Sequence, residues 1–213
     1  MVIRPYQSPD RAAVRLIAYE TADRGKPVAG AYFDRELLAD LVTRYYTDCE
    51  PQASWVAETG GDVVGYLTGC VDTHRWRRFM TWRIVPAALM RAAGRGGAGC
   101  AHVWRLSWAI AQTCARGGWR RPISLSAYPA HLHINVVEES RGQHVGRQLM
   151  DAFLAHALQA GVPGVHASVR ADNQHGREFF ERMGFKVIAR RPVVLLNGTG
   201  HQRTDVLMYG RQV

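Results

Sequence analysis

Hydrophobic and polar positions along the chain follow two periods, which together predict a mixed succession of strands and helices. Runs rich in apolar and β-branched residues are typical of strands. They span residues 2–5, 54–58, 63–70, 131–137, 165–169, 185–189 and 205–209. Apolar residues three and four positions apart are typical of helices, and they recur at about residues 9–22, 34–45, 145–160 and 173–183. The predicted order is strand, two helices, hairpin, a long segment of different character, then strand, helix, strand, helix and two strands.

The segment of different character, residues 73–121, contains five of the six tryptophans and ten arginines. Pro86 and the stretch from Gly94 to Gly99 divide it into two predicted helical pieces. Because about 50 residues rarely form a core alone, we interpret it as an insertion over one end of the sheet, within a single α/β domain spanning residues 1–213. It is either a substrate lid or partner surface, or an amphipathic cover whose tryptophans fill its own underside.

The composition is that of an ordinary globular chain of 213 residues, 47% hydrophobic and 21% charged. No apolar run approaches the ~18 residues that a membrane helix needs, and the N-terminus lacks a signal-peptide core, so we expect a cytoplasmic protein without a membrane partner. The four cysteines have neither close pairing nor metal-ligand spacing, which predicts reduced thiols and no metal site. The net charge of +9 favours a polyphosphate ligand or an acidic partner, whereas no nucleic-acid-binding motif accompanies it.

The stretch 137–147 turns a predicted strand directly into a predicted helix. Backbone amides from about Gln143 to Arg147 have no helical carbonyl to bind, and they lie at the positive end of the helix dipole. Two arginines flank them. A loop of this kind binds phosphate. The residues predicted to hold the anion are Arg141, Gly142, Gln143, His144, Val145, Gly146 and Arg147.

Two histidines on the preceding strand are candidates for a catalytic base. His131 and His133 suit proton transfer near neutrality, because an unperturbed histidine has a pKa of ~6.5. Two residues apart on a strand, they share one face, and Asn135 lies on the same face as a polar neighbour. Alternatively, both histidines only form hydrogen bonds beneath the tryptophan-rich segment.

Three motifs at this spacing resemble the GNAT superfamily of acetyl-CoA-dependent N-acetyltransferases. They are the loop Arg141-Gly-Gln-His-Val-Gly146, the helix opened by Asn173, and Met183-Gly-Phe185 at the entry to the next strand. The resemblance covers nearly the whole chain except the insertion. It implies a mixed central sheet flanked by helices, with acetyl-CoA as the cofactor.

The family's central strands splay apart and hold the peptide-like pantetheine arm between them. Here those strands are 131–137 and 165–170. The implied reaction is direct attack of a primary amine, on a small molecule or a peptide, on the thioester of acetyl-CoA. The backbone amide of Val136 or Val137 then stabilises the oxyanion.

A narrower resemblance lies in the segments Gly65–Thr73 and Tyr128–Ile134. They are similar to bacterial acetyltransferase-like proteins related to the C-terminal domain of O-GlcNAcase. On this basis Asp72 and Tyr128 are candidates to bind the acceptor substrate. For Asp72 the alternative is a turn or cap carboxylate.

Other positions carry an alternative or depart from the family pattern. Asn173 contacts the pantetheine arm or merely caps its helix. His144 replaces a loop glycine, which costs ~1–2 kcal/mol if φ is positive there. Phe180, which the resemblance places at the cofactor, replaces a tyrosine general acid, and Asn135 stands where the narrower group has an aspartate. A weak or inactive acetyl-CoA-binding module with a partner-binding insertion therefore remains a second hypothesis, and a basic nucleic-acid-binding protein a third.

Overall fold

The computed structural model describes residues 1–27, 35–117, 123–197 and 200–213, and a seven-stranded sheet runs through them. The strands are β1 (Val2–Pro5), β2 (Ser54–Thr59), β3 (Asp62–Cys70), β4 (Ala130–Val136), β5 (Gly164–Arg170), β6 (Lys186–Asn197) and β7 (Gly200–Gln212). They lie in the order β1-β2-β3-β4-β5-β7-β6. Every neighbouring pair is antiparallel except β4 and β5, which are parallel.

Seven α-helices connect or cover these strands in the part of the chain that the structure describes. They are α1 (Arg11–Glu20), α2 (Arg35–Cys49), α3 (Thr73–Phe79), α4 (Val85–Ala93), α5 (Gly97–Ala115), α6 (Val145–Gln159) and α7 (Gln174–Arg182). This order of strands and helices confirms the α/β fold predicted from the sequence. The predicted cap Asp34, Trp119 and the tip of the predicted turn at 197–200 lie outside the described residues.

The sheet carries helices on both faces, because alternate residues of its strands point in opposite directions. On one face, Leu149 and Phe153 of α6 pack against Leu132 of β4 in the main core. On the other face, Val14 of α1 packs against Tyr66 of β3. The odd-numbered residues of β4 lie on this second face, beneath α1 and α2.

The parallel pair in the middle of the sheet separates after its first two residues. Ala130 pairs with Val165 and His131 with His166, and no later residue of β4 pairs with β5. The predicted splay of the central strands is thereby confirmed. It opens a cleft with a closed base at His131 and an open mouth toward Val136.

The helices between β3 and β4 form a cover that we call the insert (residues 73–117). Its first part is continuously helical from residue 73 to residue 93, with a π-helical turn at Met80–Ile84 just before Pro86. Proline lacks an amide hydrogen, so it accounts for the disturbed helical bonding there. Ala88 and Ala92 of α4 pack against Leu37 of α2, and α5 lies along β6, where the Val194 amide donates to Thr113 Oγ1 at 2.9 Å.

The tryptophans of the insert do not fill its underside. Trp82, Trp104 and Trp108 are exposed, with 79%, 71% and 52% of their surface accessible, whereas Trp76 is partly buried against the His131 ring. The interpretation of the insert as a cover that buries its own tryptophans is therefore wrong for three of them. These three side chains are open to solvent.

Candidate active site

The loop between β4 and α6 is shaped by two residues with positive φ. A 3-10 turn at Glu138–Ser140 follows β4, and Gly142 then adopts φ +78°. His144 adopts φ +61° and precedes the first residue of α6. The left-handed conformation that the family's glycine would adopt is thus retained, at a cost of ~1–2 kcal/mol for a residue with a side chain.

Six consecutive backbone amides of this loop have no hydrogen-bond acceptor in the part of the chain that the structure describes. The amides of Ser140 and Arg141 donate to carbonyls within the turn, and that of Gln148 donates to His144. For the amides from Gly142 to Arg147, the described part of the chain offers no hydrogen-bond acceptor. They lie at the positive end of a 15-residue helix. Such a row of donors fits a phosphate, because unsatisfied helix-terminal amides bind anions.

The two flanking arginines differ in their surroundings. Arg141 donates from Nε to the carbonyl of Val136 at 3.1 Å and from a terminal nitrogen to the carbonyl of Gly25 at 2.8 Å. It therefore ties the end of β4 to the loop after α1. The side chain of Arg147 is 70% exposed and lies 3.8 Å from Asp151. Arg147 is the more available of the two cations.

The backbone amides of Val136 and Val137 differ in their hydrogen bonding. The Val137 amide donates to the carbonyl of Val64 on β3 at 3.0 Å. Because successive amides of a strand point in opposite directions, the amide of Val136 faces the cleft, where β4 has no strand partner. Of the two oxyanion donors that the sequence offered, the structure therefore leaves Val136 available and Val137 occupied.

His131 lies in a closed hydrogen-bond chain at the base of the cleft. The Thr73 hydroxyl donates to the carbonyl of Pro129 at 2.6 Å, so it can only accept from His131 Nδ1, at 2.7 Å. The other ring nitrogen, Nε2, then accepts from the Tyr46 hydroxyl at 2.9 Å. Burial, together with the nearby histidines, lowers the pKa of His131 well below its usual range. With both nitrogens bonded and the ring 6% exposed, His131 holds the strand and the insert in position rather than reaching a substrate.

His133 lies two residues closer to the mouth and differs from His131. The Tyr46 ring lies 5.6 Å from the His133 ring, yet the His133 nitrogens have no hydrogen-bond partner in the described ranges. The surrounding protein lowers the pKa of His133 to about 4 by desolvation. Its side chain is nevertheless open to solvent in the cleft, so water offsets part of that effect. The ring is neutral at pH 7 and available to accept a proton.

The polar groups around His133 complete this wall of the cleft. Asn135 donates from Nδ2 to the Tyr66 hydroxyl at 2.8 Å. Thr68 pairs with His133 across the β3–β4 ladder. The Thr68 hydroxyl is buried, and it has no hydrogen-bond partner among the described residues.

The remaining predicted residues take structural positions. Asp72 Oδ1 accepts from the amides of His74 and Arg75 at 2.8 and 3.1 Å and so caps α3. Asn173 Oδ1 accepts from the Gly176 amide at 3.0 Å and caps α7. Both cap alternatives are therefore correct, although Asp72 Oδ2 and Asn173 Nδ2 have no hydrogen-bond partner within the described residues.

The two aromatic residues predicted at the site pack against the protein, and Phe180 has little surface left for a ligand. Phe180 is 6% exposed, with its ring 5.2 Å from Phe185 and stacked 5.9 Å from Tyr209. It is a core residue, and its predicted contact with the cofactor is not supported by this position. The Tyr128 ring packs over two glycines at the edges of β5 and β7, and its carbonyl accepts from His166 Nδ1 at 2.9 Å.

Sequence reasoning missed Tyr46, Thr73, Thr68 and His166 as members of this site. They come from α2, α3, β3 and β5, and only the sheet register and the docking of helices bring them together. A weak signal existed in the alternation of His166 with apolar neighbours on its strand. No group of His, Cys, Asp and Glu side chains in the described residues converges as metal ligands, and no described helix is long and apolar enough to cross a membrane.

The cleft between splayed strands and the row of amides without an acceptor among the described residues are the features expected of an acetyl-CoA-dependent acyltransferase, and sequence comparison agrees. The chain belongs to the acetyltransferase (GNAT) family, whose model matches residues 17–185. It is thus an acetyltransferase, and its cofactor is acetyl-CoA.

Solved structures of other proteins share this fold. The chain is similar to SsHAT, with 28% sequence identity over 99% of this chain and 97% of that chain and a TM-score of 0.75. It is also similar to yncA of Salmonella typhimurium, solved with its cofactor acetyl-CoA, with 15% identity over 100% and 93% of the two chains and a TM-score of 0.59. The ribosomal-protein-alanine N-acetyltransferase of Brucella melitensis matches with 16% identity over 100% of each chain and a TM-score of 0.58. At these identities the last two likenesses concern the fold alone.

Proposed function

We propose that the protein transfers the acetyl group of acetyl-CoA to a primary amine by direct attack, with His133 as the base that accepts the amine proton. One observation carries this proposal. A histidine ring and a run of six backbone amides, none of which has a hydrogen-bond partner among the described residues, lie on the unpaired part of β4 and on the loop that continues it. The first group moves a proton and the second binds an anion, which are the two tasks that the reaction requires.

Each part of the cleft has a role in this proposal. The amides from Gly142 to Arg147 hold the pyrophosphate, and Arg147 adds a charge that is exposed to solvent. The free edge of β4, together with Asn173 Nδ2, binds the amide groups of the pantetheine arm. The coenzyme supplies a thioester whose thiol leaves readily. The Val136 amide donates to the carbonyl oxygen as negative charge develops there, which contributes ~2.7–4 kcal/mol in comparable sites.

His133 accepts the proton as the new C–N bond forms and the C–S bond breaks. Its lowered pKa keeps the ring neutral at pH 7 and also makes it a weaker base than an unperturbed histidine. A base of this kind typically contributes ~10²–10⁴ in rate. Asn135 cannot take this role, because an amide does not accept a proton at neutral pH. For the acceptor amine, the free Oδ2 of Asp72 is the carboxylate we propose as its partner, and Tyr128 borders the base of the cleft.

We also infer a closer relationship with the bacterial acetyltransferase-like proteins related to the C-terminal domain of O-GlcNAcase. The two segments that carry this likeness, Gly65–Thr73 and Tyr128–Ile134, lie on neighbouring strands, where Thr68 pairs with His133. The protein is proposed to act in the cytoplasm as a single domain. Its four cysteines are free, as in a reducing compartment.

Coenzyme binding is tested by reversing one exposed charge at the loop. Arg147→Glu should weaken CoA binding roughly tenfold in calorimetric titration, because a repulsive charge replaces an attractive one beside the phosphates. Arg182→Glu is a matched control, since both arginines have similarly exposed side chains, 70% and 68%, and a weak ion pair one helical turn away, at 3.8 and 3.7 Å. Equal affinities for the two variants would contradict the proposed phosphate site.

Catalysis is tested separately by measuring CoA release with a panel of small amines and peptides. Turnover above buffer with at least one primary amine is the expected result. Tight CoA binding without turnover on any amine would favour the second hypothesis, an inactive acetyl-CoA-binding module. The position of Phe180 in the core and the neutral Asn135 are the observations on its side.

A further inference from the structure

The positive charge of the chain is concentrated in one segment. Ten arginines and none of the 18 acidic residues lie between Thr73 and Val137. The rest of the chain has 17 of the 27 basic residues against all 18 acidic ones. The net charge of +9 therefore originates in the insert and the short connection that follows it, while the remainder of the protein is nearly neutral.

The outer face of α5 is apolar although it is exposed. Trp104 and Trp108, four residues apart, lie on one side of the helix. The exposed residues on this side are Cys100, Ala101, Trp104, Ser107, Trp108 and Ala111, and none of them is charged. The opposite side of α5 packs inward through Val103 and Leu106. A normal surface helix has its polar side outward, whereas α5 is apolar on both its inward and its outward side.

Two further apolar residues and several arginines of the insert are also exposed. Trp82 and Met90, on the helical stretch that leads to α5, are 79% and 69% exposed. Arg78, Arg83 and Arg116 are exposed as well. None of these three forms an ion pair with a carboxylate in the described part of the chain. Exposed tryptophan beside unpaired arginine is the composition of helices that lie in a membrane interface.

We propose that the outer face of the insert docks on the surface of a bilayer that contains anionic phospholipid. The tryptophans insert at the level of the headgroups, where their amphipathic rings are most stable. The arginines bind the lipid phosphates from the rim of the apolar face. The proposal is independent of the acetyl-transfer reaction, since it uses no residue of the cleft.

The charge pattern selects this occupant over two others. A second copy of the chain seated face to face would bring two arginine-rich, carboxylate-free surfaces together, and like charges repel. A nucleic acid would need arginines among the stacking tryptophans, whereas the outer side of α5 has no charge at all. An anionic bilayer has both an apolar interior, which accommodates the tryptophans, and negatively charged headgroups, which bind the arginines.

Cosedimentation with vesicles tests the proposal. The full-length protein should bind vesicles of phosphatidylglycerol and phosphatidylcholine, bind vesicles of phosphatidylcholine alone weakly, and show a blue shift of tryptophan emission on binding. Trp104→Ser combined with Trp108→Ser should lower the partition coefficient roughly tenfold or more, because the inserted rings are lost. Leu158→Ser is the matched control, since Leu158 is a 63% exposed apolar residue on α6, outside the insert.

The contribution of the arginines to vesicle binding is tested with a second set of variants. Replacing Arg78, Arg83 and Arg116 by alanine should lower the partition coefficient about fivefold for each arginine removed. High salt should also lower the partition coefficient of the unmodified protein, because it screens the attraction between arginines and lipid phosphates. Arg182→Ala should leave it unchanged. Equal binding to neutral and anionic vesicles, no loss in the double tryptophan variant, or binding to an oligonucleotide but not to vesicles would overturn the proposal. So would a stable dimer in sedimentation that the tryptophan variant dissolves.

Discussion

The base and the mouth of the cleft belong to the same two strands but differ in how their polar groups are satisfied. At the base, β4 and β5 are paired, and the His131 ring is bonded at both nitrogens to Tyr46 and Thr73. At the mouth the strands have separated, and neither the His133 nitrogens nor the loop amides have a hydrogen-bond partner within the described ranges. Two histidines two residues apart on one face thus have different roles. Loss of strand pairing leaves polar groups of the same strand without protein partners, and these are the groups that we propose bind the ligand.

The largest effect is expected at the mouth. His133→Ala should lower kcat by ~10²–10⁴ while leaving CoA affinity nearly unchanged, because the proton acceptor is lost and the amides remain. Steady-state kinetics and CoA titration on the same preparation measure both quantities. His156→Ala, on α6 at the opposite face of the sheet, is the control and should retain full activity. If His133→Ala keeps its rate, the base lies elsewhere.

The corresponding alanine substitution at the base of the cleft should lower the stability of the protein. His131→Ala leaves the Tyr46 hydroxyl without its acceptor and Thr73 without its donor, both buried, so we expect a loss of about 2–4 kcal/mol in the free energy of unfolding. Urea denaturation measures it. The same experiment on His133→Ala should give a much smaller loss. Similar losses for both variants would remove the distinction between the two positions.

The pH dependence of stability sharpens the same comparison. Burial lowers the pKa of His166 to about 4 and that of His131 well below its usual range, so the unfolded chain binds more protons than the native state below pH 6.5. Stability should therefore fall as pH drops from 6.5 toward 4, by up to about 1.4 kcal/mol per pH unit for each histidine. Thermal unfolding across this window measures the slope. His131→Gln should reduce it, and an unchanged slope would argue against a neutral, buried His131.

The smallest effect is expected in the loop. His144→Gly should raise the free energy of unfolding by about 1 kcal/mol, since glycine adopts φ +61° without steric cost. Gly142→Ala should lower it by a similar amount, because the φ of +78° opposes a side chain there although space is open. Denaturant titration measures both changes in the free energy of unfolding. A loss in His144→Gly would mean that the imidazole makes a contribution that outweighs the backbone strain.

Much of this architecture follows from local patterns. The order of elements, the strand-to-helix loop and the caps at Asp72 and Asn173 were predictable, because periodicity and cap residues act over a few positions. The splay required knowledge of the family, since nothing in the strand sequences alone sets where pairing ends. The different fates of His131 and His133 were not predictable, because Tyr46 and Thr73 reach the strand only through tertiary packing. The exposed tryptophans of the insert contradicted the usual preference of large apolar residues for the interior.

The central claim is that the anionic part of the coenzyme binds to the free amides at the start of α6. It is tested most directly by following the backbone amide signals of the ¹⁵N-labelled protein by NMR during a titration with CoA. The account predicts that the amides from Gly142 to Arg147 show the largest shifts, and that hydrogen bonding to phosphate moves them downfield. Saturable binding that leaves these six amides unshifted would contradict it.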